Sequence, residues 1–243
     1  MKSSLNSQKT LFSVVFLAGG AGSRMVSSIP KQYLLLQDKP VFFHSFEVFL
    51  SMAEVVEIVV VCDQAYESLF TELQTNKKIC FARSGMRRQD SVFSGLQALT
   101  SVDGEQLICI HDAARPLINS TMVKSVVEAA EKWDAAVAAV RVKSTIKICD
   151  EEQLVIKTLD RTYLWEVQTP QVIRLSLLKK AFDYVHAQNL TVSDDVSLVE
   201  LVGKPVKIVE GSYKNVKITT SEDMILLQQL IKNDDLLQVN NCL

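Results

Sequence analysis

Hydrophobic residues along this chain fall into two kinds of segment: short, nearly unbroken apolar runs, and longer stretches in which they recur every three or four positions. The short runs, at residues 14–18, 55–62, 79–82, 107–111 and 135–140, are bounded by polar or glycine residues, as strands buried on both faces should be. The longer stretches, 41–52, 65–74, 90–99 and 122–132, carry helical spacing, for example Val92, Leu96 and Leu99. This alternation predicts an α/β fold with a mainly parallel, twisted sheet, helices on both faces and right-handed crossovers. Further helices are expected at 175–188, 196–202 and about 221–231, with an extended segment at 206–210. The last helix opens on Thr220-Ser-Glu-Asp223, a capping pattern.

Residues 142–160 depart from the alternation. Thr145-Ile-Lys-Ile-Cys149 and Leu154-Val-Ile-Lys-Thr158 flank the acidic Asp150-Glu-Glu turn as the two strands of a hairpin, a β-arm at about 142–162. Two isolated strands are marginal in water. An arm carrying Ile146, Ile148, Val155 and Ile156 therefore needs a surface, either its own sheet or a second copy of the chain. With no repeat or low-complexity linker, the expectation is a single domain over 13–235, with tails at 1–12 and 236–243.

Composition narrows the function classes. The 243 residues carry 26 Lys+Arg against 28 Asp+Glu, a formal charge of −2, with 48% hydrophobic and 22% charged residues. Nothing in that balance draws the chain to nucleic acid or an anionic membrane. No apolar run approaches the roughly 18 residues of a spanning helix. The polar start runs directly through 11–18 into a glycine cluster without a cleavage pattern, which reads as a short tail on a cytoplasmic protein. Cys62, Cys80, Cys109, Cys149 and Cys242 are odd in number and lack a C-x-x-C, so neither a disulfide framework nor a zinc site is expected. Cys62 and Cys109, within or at the end of strand-like runs, read as small buried hydrophobes.

The sharpest candidate chemistry is Leu17-Ala-Gly-Gly-Ala-Gly-Ser-Arg-Met25, directly after the first strand and followed by Pro30-Lys31-Gln32. Three of only eight glycines, Gly19, Gly20 and Gly22, lie within four positions. Glycines there let consecutive N–H groups wrap a phosphate chain, with Arg24 and Lys31 adding positive charge. The segment lacks the G-K-[ST] ending of a P-loop, and Met25 stands where G-x-G-x-x-G/A needs glycine or alanine. An ordinary tight turn is the competing reading of the loop alone. His111-Asp-Ala-Ala-Arg-Pro116 follows the fourth strand, placing Asp112 and Arg115 at a strand's carboxyl end, where open α/β sheets bind ligands. Asp112 suits a Mg²⁺ bridging phosphate oxygens; a capping aspartate paired with Arg115 is the competing reading. His111 is read as packed. Gly85 to Ser91, Thr158 to Arg161 through Gln168-Thr-Pro170, and Asn215-Val-Lys217 read as polar loops, and Asp194-Asp195 as a helix start in preference to a second metal pair.

Taken in order, the glycine segment with Pro-Lys-Gln-Tyr33, Asp90-Ser-Val, His111-Asp-Ala-Ala-Arg-Pro, Thr158-Leu-Asp-Arg with Trp165 and Gln168-Thr-Pro-Gln171, and Asn215-Val-Lys-Ile-Thr-Thr220 resemble the 2-C-methyl-D-erythritol 4-phosphate cytidylyltransferases over about residues 13–231. The resemblance implies a Rossmann-like nucleotidyltransferase that joins methylerythritol phosphate to the CMP part of CTP in the non-mevalonate isoprenoid pathway, using Mg²⁺ or another divalent cation. It also implies a homodimer that exchanges its arm. Leu17, Ala18, Gly19, Gly20 and Gly22, with Arg24 and Lys31, would hold the triphosphate. Gly85 and Ser91 would lie beside base and ribose, with Ala113 near the nucleotide. Asp112 would face metal and substrate. Arg115, Thr145, Arg161 and Thr169 would bind methylerythritol phosphate, Arg161 reaching across from the partner chain, and Lys217 would touch phosphates near the reaction centre. Arg24, Lys31 and Lys217 are the expected catalytic residues. Met86 stands where many relatives carry a polar or acidic residue, Leu17 where proline is common, and Gly19 where alanine is common.

The implied nucleophile is a phosphate monoester, largely dianionic at pH 7, which needs no protein base. Two other readings stay open from sequence: a pentitol-phosphate cytidylyltransferase acting on ribitol 5-phosphate, and a non-catalytic CTP-binding module.

Overall fold

The computed structural model describes residues 9–20, 29–100 and 103–240. Its first half runs β1 (Phe12–Leu17), β2 (Leu35–Leu36), β3 (Lys39–Pro40), α1 (Val41–Ser51), β4 (Val55–Val61), α2 (Ser68–Thr71), β5 (Lys78–Ala82), α3 (Arg88–Gln97) and β6 (Leu107–Asp112). The second runs α4 (Ser120–Trp133), β7 (Ala135–Arg141), β8 (Lys147–Cys149), β9 (Val155–Thr158), β10 (Trp165–Arg174), α5 (Leu175–Ala187), α6 (Asp195–Leu201), β11 (Lys207–Glu210) and α7 (Ser221–Asn240).

Seven strands form one sheet in the order β11-β7-β10-β6-β1-β4-β5. β1 pairs in parallel with both β4 and β6, and β5 extends β4 in parallel. Only β10 runs antiparallel to its neighbours, between β6 and β7. Alternation along each strand divides the core between the two faces. Val14 and Phe16, with Ile58, Val60 and Cys109, pack under α1 and α4 beside Phe42, Phe46 and Phe49. Val15, with Ile108, Ile110 and Val137, packs under α3, α5 and α6 beside Val92, Leu178 and Phe182. A strand clothed on both faces can be apolar at nearly every position, which is why the runs in the sequence were unbroken.

The predicted strands appear within a few residues of their expected ends, and so do most helices. Residues 65–74 yield less helix than their periodicity suggests, a 3₁₀ turn at Gln64–Tyr66 followed by the single turn of α2. The last helix runs longer, to Asn240. Its expected cap is present in part: Asp223 Oδ2 accepts from the backbone N–H of Thr219 and Thr220. The principal correction is β10. Its Gln168-Thr-Pro stretch reads as a polar loop, yet Gln168, Thr169 and Gln171 are buried in a ten-residue strand whose register shifts between Val167 and Gln171. The polar groups are tolerated because β10 feeds them into the site and not into the apolar core.

The arm forms as β8 and β9, a separate two-stranded sheet. It does not fold back onto the main sheet. All residues of both strands are exposed, and Ile148, Leu154, Val155 and Ile156 keep 38% to 65% of their surface in solvent.

Candidate active site

The carboxyl ends of β1, β4 and β6 lie side by side, so the segments that follow them share one rim of the sheet. That rim is where open α/β sheets bind ligands. After β1 the chain is fastened before it reaches the glycines: Ala18 N–H donates to the Val61 carbonyl, and the Ala18 carbonyl accepts from Gln32 Nε2 at 2.7 Å and Tyr33 Oη at 2.8 Å. Gln32 also donates to the Gly20 carbonyl at 3.0 Å. A Cβ on Gly19 would fall 1.5 Å from Ser84 Oγ, so this loop closely approaches the chain after β5 and any side chain here would need Ser84 to move. Gly22 and Arg24, expected to complete the cradle, lie outside the described residues.

A cleft of about 410 Å³ opens above this rim, lined by Leu17, Gly19, Gly20, Lys31, Gly85, Ser91, Asp112 and Lys217 among others. Gly85 N–H donates to Ser91 Oγ at 3.0 Å, and a Cβ on Gly85 would sit 2.3 Å from that of Asp90. The backbone there is thus pressed against the start of α3. Met86 stands fully exposed at the cleft wall. Ala113 is buried beneath the cleft, its N–H donated to the Leu17 carbonyl.

A second cleft, about 400 Å³, adjoins the first and is lined by Arg115, Gln168, Thr169, Gln171, Asp194 and Glu200 among others. Arg88, Asp112 and Lys217 line both. These three residues form the wall between the clefts. Lys217 Nζ lies 2.6 Å from Asp112 Oδ2, and Arg88 reaches Asp112 Oδ1 at 3.0 Å. Arg88 then forks onto Asp195, at 2.7 and 2.8 Å. The result is an alternating row of charge, Lys217, Asp112, Arg88, Asp195. Burial alone would raise the Asp112 carboxyl, but Arg88 and Lys217 overcome it and hold Asp112 well below the usual carboxylate range. Burial raises Asp195 despite Arg88. For Arg88, burial lowers the guanidinium and the two carboxylates more than restore it.

Asp112 therefore faces both clefts as expected, but its partners are Arg88 and Lys217. Arg115 instead donates to the Asn215 carbonyl at 2.8 Å, and burial lowers its guanidinium. Both Asp112 oxygens are occupied by cations, and the described residues contain no group of three His, Cys, Asp or Glu side chains placed to hold a metal. The carboxylate as it stands does not fit a Mg²⁺ held by the protein: an ion there would have to displace Lys217 or Arg88. Asp194 caps α6 by accepting from Ser197 N–H, as a helix start should, whereas Asp195 is not a cap but the buried partner of Arg88. Thr145 and Arg161 are exposed on the arm and its base and line neither cleft of this chain. Arg161 donates to the Lys143 carbonyl.

Arg88 is the residue that sequence reading missed. It sits beside Arg87 in a polar stretch with nothing local to mark it, and its partners lie 24 and 107 positions away. His111, read as packed, is indeed wholly buried between the rings of Phe16 and Phe49. It also bonds at both nitrogens, Nε2 to the Arg115 carbonyl at 3.1 Å and Nδ1 to Thr169 Oγ1 at 3.0 Å. Burial pushes its pKa down to about 4.

Removing Arg88 leaves two carboxylates at the wall with one cation. Arg88→Met should destabilise the fold by about 3–5 kcal/mol in urea unfolding, and pairing it with Asp195→Leu should recover part of that loss. Buried His111 gives a separate expectation. Its folded pKa of about 4 lies below the 6.5 of a free imidazole. As pH falls through that window the unfolded chain takes up the proton first, so stability drops and then levels near pH 4. His111→Phe should flatten the drop by about 3 kcal/mol, read from unfolding curves at pH 4.0, 5.0, 6.0 and 7.0.

The family model for 2-C-methyl-D-erythritol 4-phosphate cytidylyltransferase matches residues 12–233. A chloroplastic protein of that name from Oryza sativa subsp. japonica is 50% identical over 222 residues, covering 90% of this chain and 74% of the rice protein. The protein of that name from Desulforamulus reducens is 40% identical and covers 90% of this chain and 94% of its own. Among solved structures, 4-diphosphocytidyl-2C-methyl-D-erythritol synthase from Anaerococcus prevotii superposes with a TM-score of 0.82 at 26% identity, covering 92% of this chain and 97% of that one. The enzyme from Francisella tularensis gives 0.76 at 31%, covering 89% and 98%. A match running from the first strand into the last helix takes in the glycine loop, both clefts and the wall between them, and on that ground the chain belongs to the 2-C-methyl-D-erythritol 4-phosphate cytidylyltransferase family.

Proposed function

We propose that this chain transfers CMP from CTP to 2-C-methyl-D-erythritol 4-phosphate, releasing pyrophosphate, the cytidylyl step of the non-mevalonate isoprenoid route. One observation carries the reading: two clefts meet at a wall of charged side chains made of Arg88, Asp112 and Lys217. A transfer between two bound phosphates needs adjoining pockets with fixed positive charge at the junction. The first cleft, with the glycine backbone and Lys31, takes the nucleotide, and Gly85 and Ser91 flank its base and ribose. The second, with Arg115 and Thr169, takes the acceptor.

A phosphate oxygen of the acceptor attacks the α-phosphorus of CTP; the new P–O bond forms as the bond to the β-phosphate oxygen breaks, and pyrophosphate leaves. The acceptor is already largely dianionic, so the protein's part is to align the two anions and offset their repulsion. Lys217 at the wall, with Lys31 and Arg24 on the nucleotide side, supplies that charge. Mg²⁺ would be supplied with CTP as part of the nucleotide substrate, where it would offset triphosphate charge.

The exposed apolar arm supports a homodimer in which each arm crosses to the other subunit, bringing Thr145 and Arg161 to an acceptor cleft they do not reach in their own chain. The free cysteines Cys62 and Cys109, both buried, support a reducing compartment, and we read it as the cytoplasm. No helix among the described residues is long and apolar enough to cross a membrane.

Pyrophosphate release should require Mg²⁺, CTP and methylerythritol phosphate together. Release with ribitol 5-phosphate in its place would identify the pentitol enzyme, and CTP binding without release the silent module. Lys31→Ala should lower kcat by a factor on the order of 10² with little change in unfolding midpoint, and an unchanged kcat would remove Lys31 from the reaction. In sedimentation equilibrium the wild type should be a dimer and V155D/I156D a monomer; a monomeric wild type would overturn arm exchange.

A further inference from the structure

We propose that His111 is a positioning residue for the acceptor side of the site, acting through the hydroxyl of Thr169 and the carbonyl of Arg115. On the reading that the second cleft takes the acceptor, each proton in these contacts has one place to go. A carbonyl oxygen can only accept, so the 3.1 Å contact between His111 Nε2 and the Arg115 carbonyl places the proton on Nε2. In the neutral imidazole Nδ1 is then an acceptor. Its partner at 3.0 Å, Thr169 Oγ1, must donate its one hydroxyl proton there. The same oxygen accepts from Asp112 N–H at 3.1 Å with a lone pair. Every donor and acceptor in this chain of contacts has a fixed direction.

Two consequences follow. Thr169, expected to bind the acceptor phosphate, has no hydroxyl proton left to give it: its hydroxyl fastens the end of β6 to β10. The contacts also close into a ring, because Arg115 donates to the Asn215 carbonyl at 2.8 Å and Asn215 Nδ2 donates back to the Thr169 carbonyl at 2.9 Å. The ring joins the end of β6, the Arg115 turn, β10 and the segment that carries Lys217 two residues beyond Asn215. His111 is the member that reaches two of these elements from the core, and neither of its contacts touches the nucleotide cleft.

Steady-state pyrophosphate release decides it, with His111→Phe, which keeps an aromatic ring between Phe16 and Phe49, Thr169→Val, which keeps the shape without the hydroxyl, and the double variant. Each single variant should raise KM for methylerythritol phosphate about tenfold, the scale of one buried hydrogen bond lost, with KM for CTP within about twofold of wild type. The double variant should be no worse than the poorer single, since both cut the same relay. Thr169→Ser, which returns the hydroxyl, should recover most of what Thr169→Val loses. Equal rises in both KM values, unchanged acceptor KM, or additive losses would overturn the proposal. Should His111→Phe fail to fold, the Val and Ser variants carry the test alone. Nitrogen NMR of the wild-type ring at pH 7 is an independent reading: the proposal requires a protonated Nε2 and a hydrogen-bonded, unprotonated Nδ1 that loses its bond in Thr169→Val, and the opposite tautomer would refute it. Because that spectrum needs no turnover, a wild type inactive toward methylerythritol phosphate would refute the assigned reaction and leave the relay to be decided by the ring.

Discussion

The buried carboxylate of Asp112, held ionised between Lys217 and Arg88, is the interaction on which the rest of this site depends. A lone carboxylate at that depth would take up a proton, and a lone lysine or arginine would be driven toward solvent. Together they form a rigid junction whose charges are satisfied before any substrate arrives. Its position follows from topology. Asp112 is the last residue of β6, beside the end of β1, so the wall stands where the glycine loop begins. Arg88 opens α3, Lys217 comes from the segment before α7, and Asp195 opens α6. Four chain segments far apart in sequence are thus tied to one carboxylate or to its partner.

Much of the architecture was legible because buried strands and amphipathic helices write themselves locally. An unbroken run such as Ile58 to Val61 has few other homes, and the four parallel strands that carry the first cleft were all visible. β10 was not, since its middle, Gln168-Thr-Pro, has the composition of a turn. That segment is strand because its polar groups find partners in the third dimension: Gln168 with Ser212 and Asn215, Thr169 with His111 and Asp112. Such satisfaction leaves no trace at neighbouring positions.

The site divides the same way. Lys31, Gly85, Ser91, Asp112, Arg115, Thr169 and Lys217 stood out because each lies in a motif, and all seven line one or both clefts. His111 lies in one of those motifs and Arg88 in the unmarked polar stretch before another, and what each does depends on partners contributed by other elements. Thr145 and Arg161 are legible as motif residues, but a single chain keeps them on an exposed arm and its base, outside both clefts.

A transfer between two phosphates poses an electrostatic difficulty that this arrangement addresses through geometry. Free cations crowded at the junction would repel each other and pull the two anions into many poses, tightening binding without favouring the attack. Interleaving them with Asp112 and Asp195 lowers the net charge of the wall while fixing where each cation points. Arg88 is then committed to the protein, with its fork closed on Asp195. Lys217, with one carboxylate oxygen at 2.6 Å and other ammonium protons still to place, stands at the junction of both clefts. An ammonium already oriented at such a junction need not reorganise to meet charge that develops beside it, which is the general source of advantage in a preorganised site.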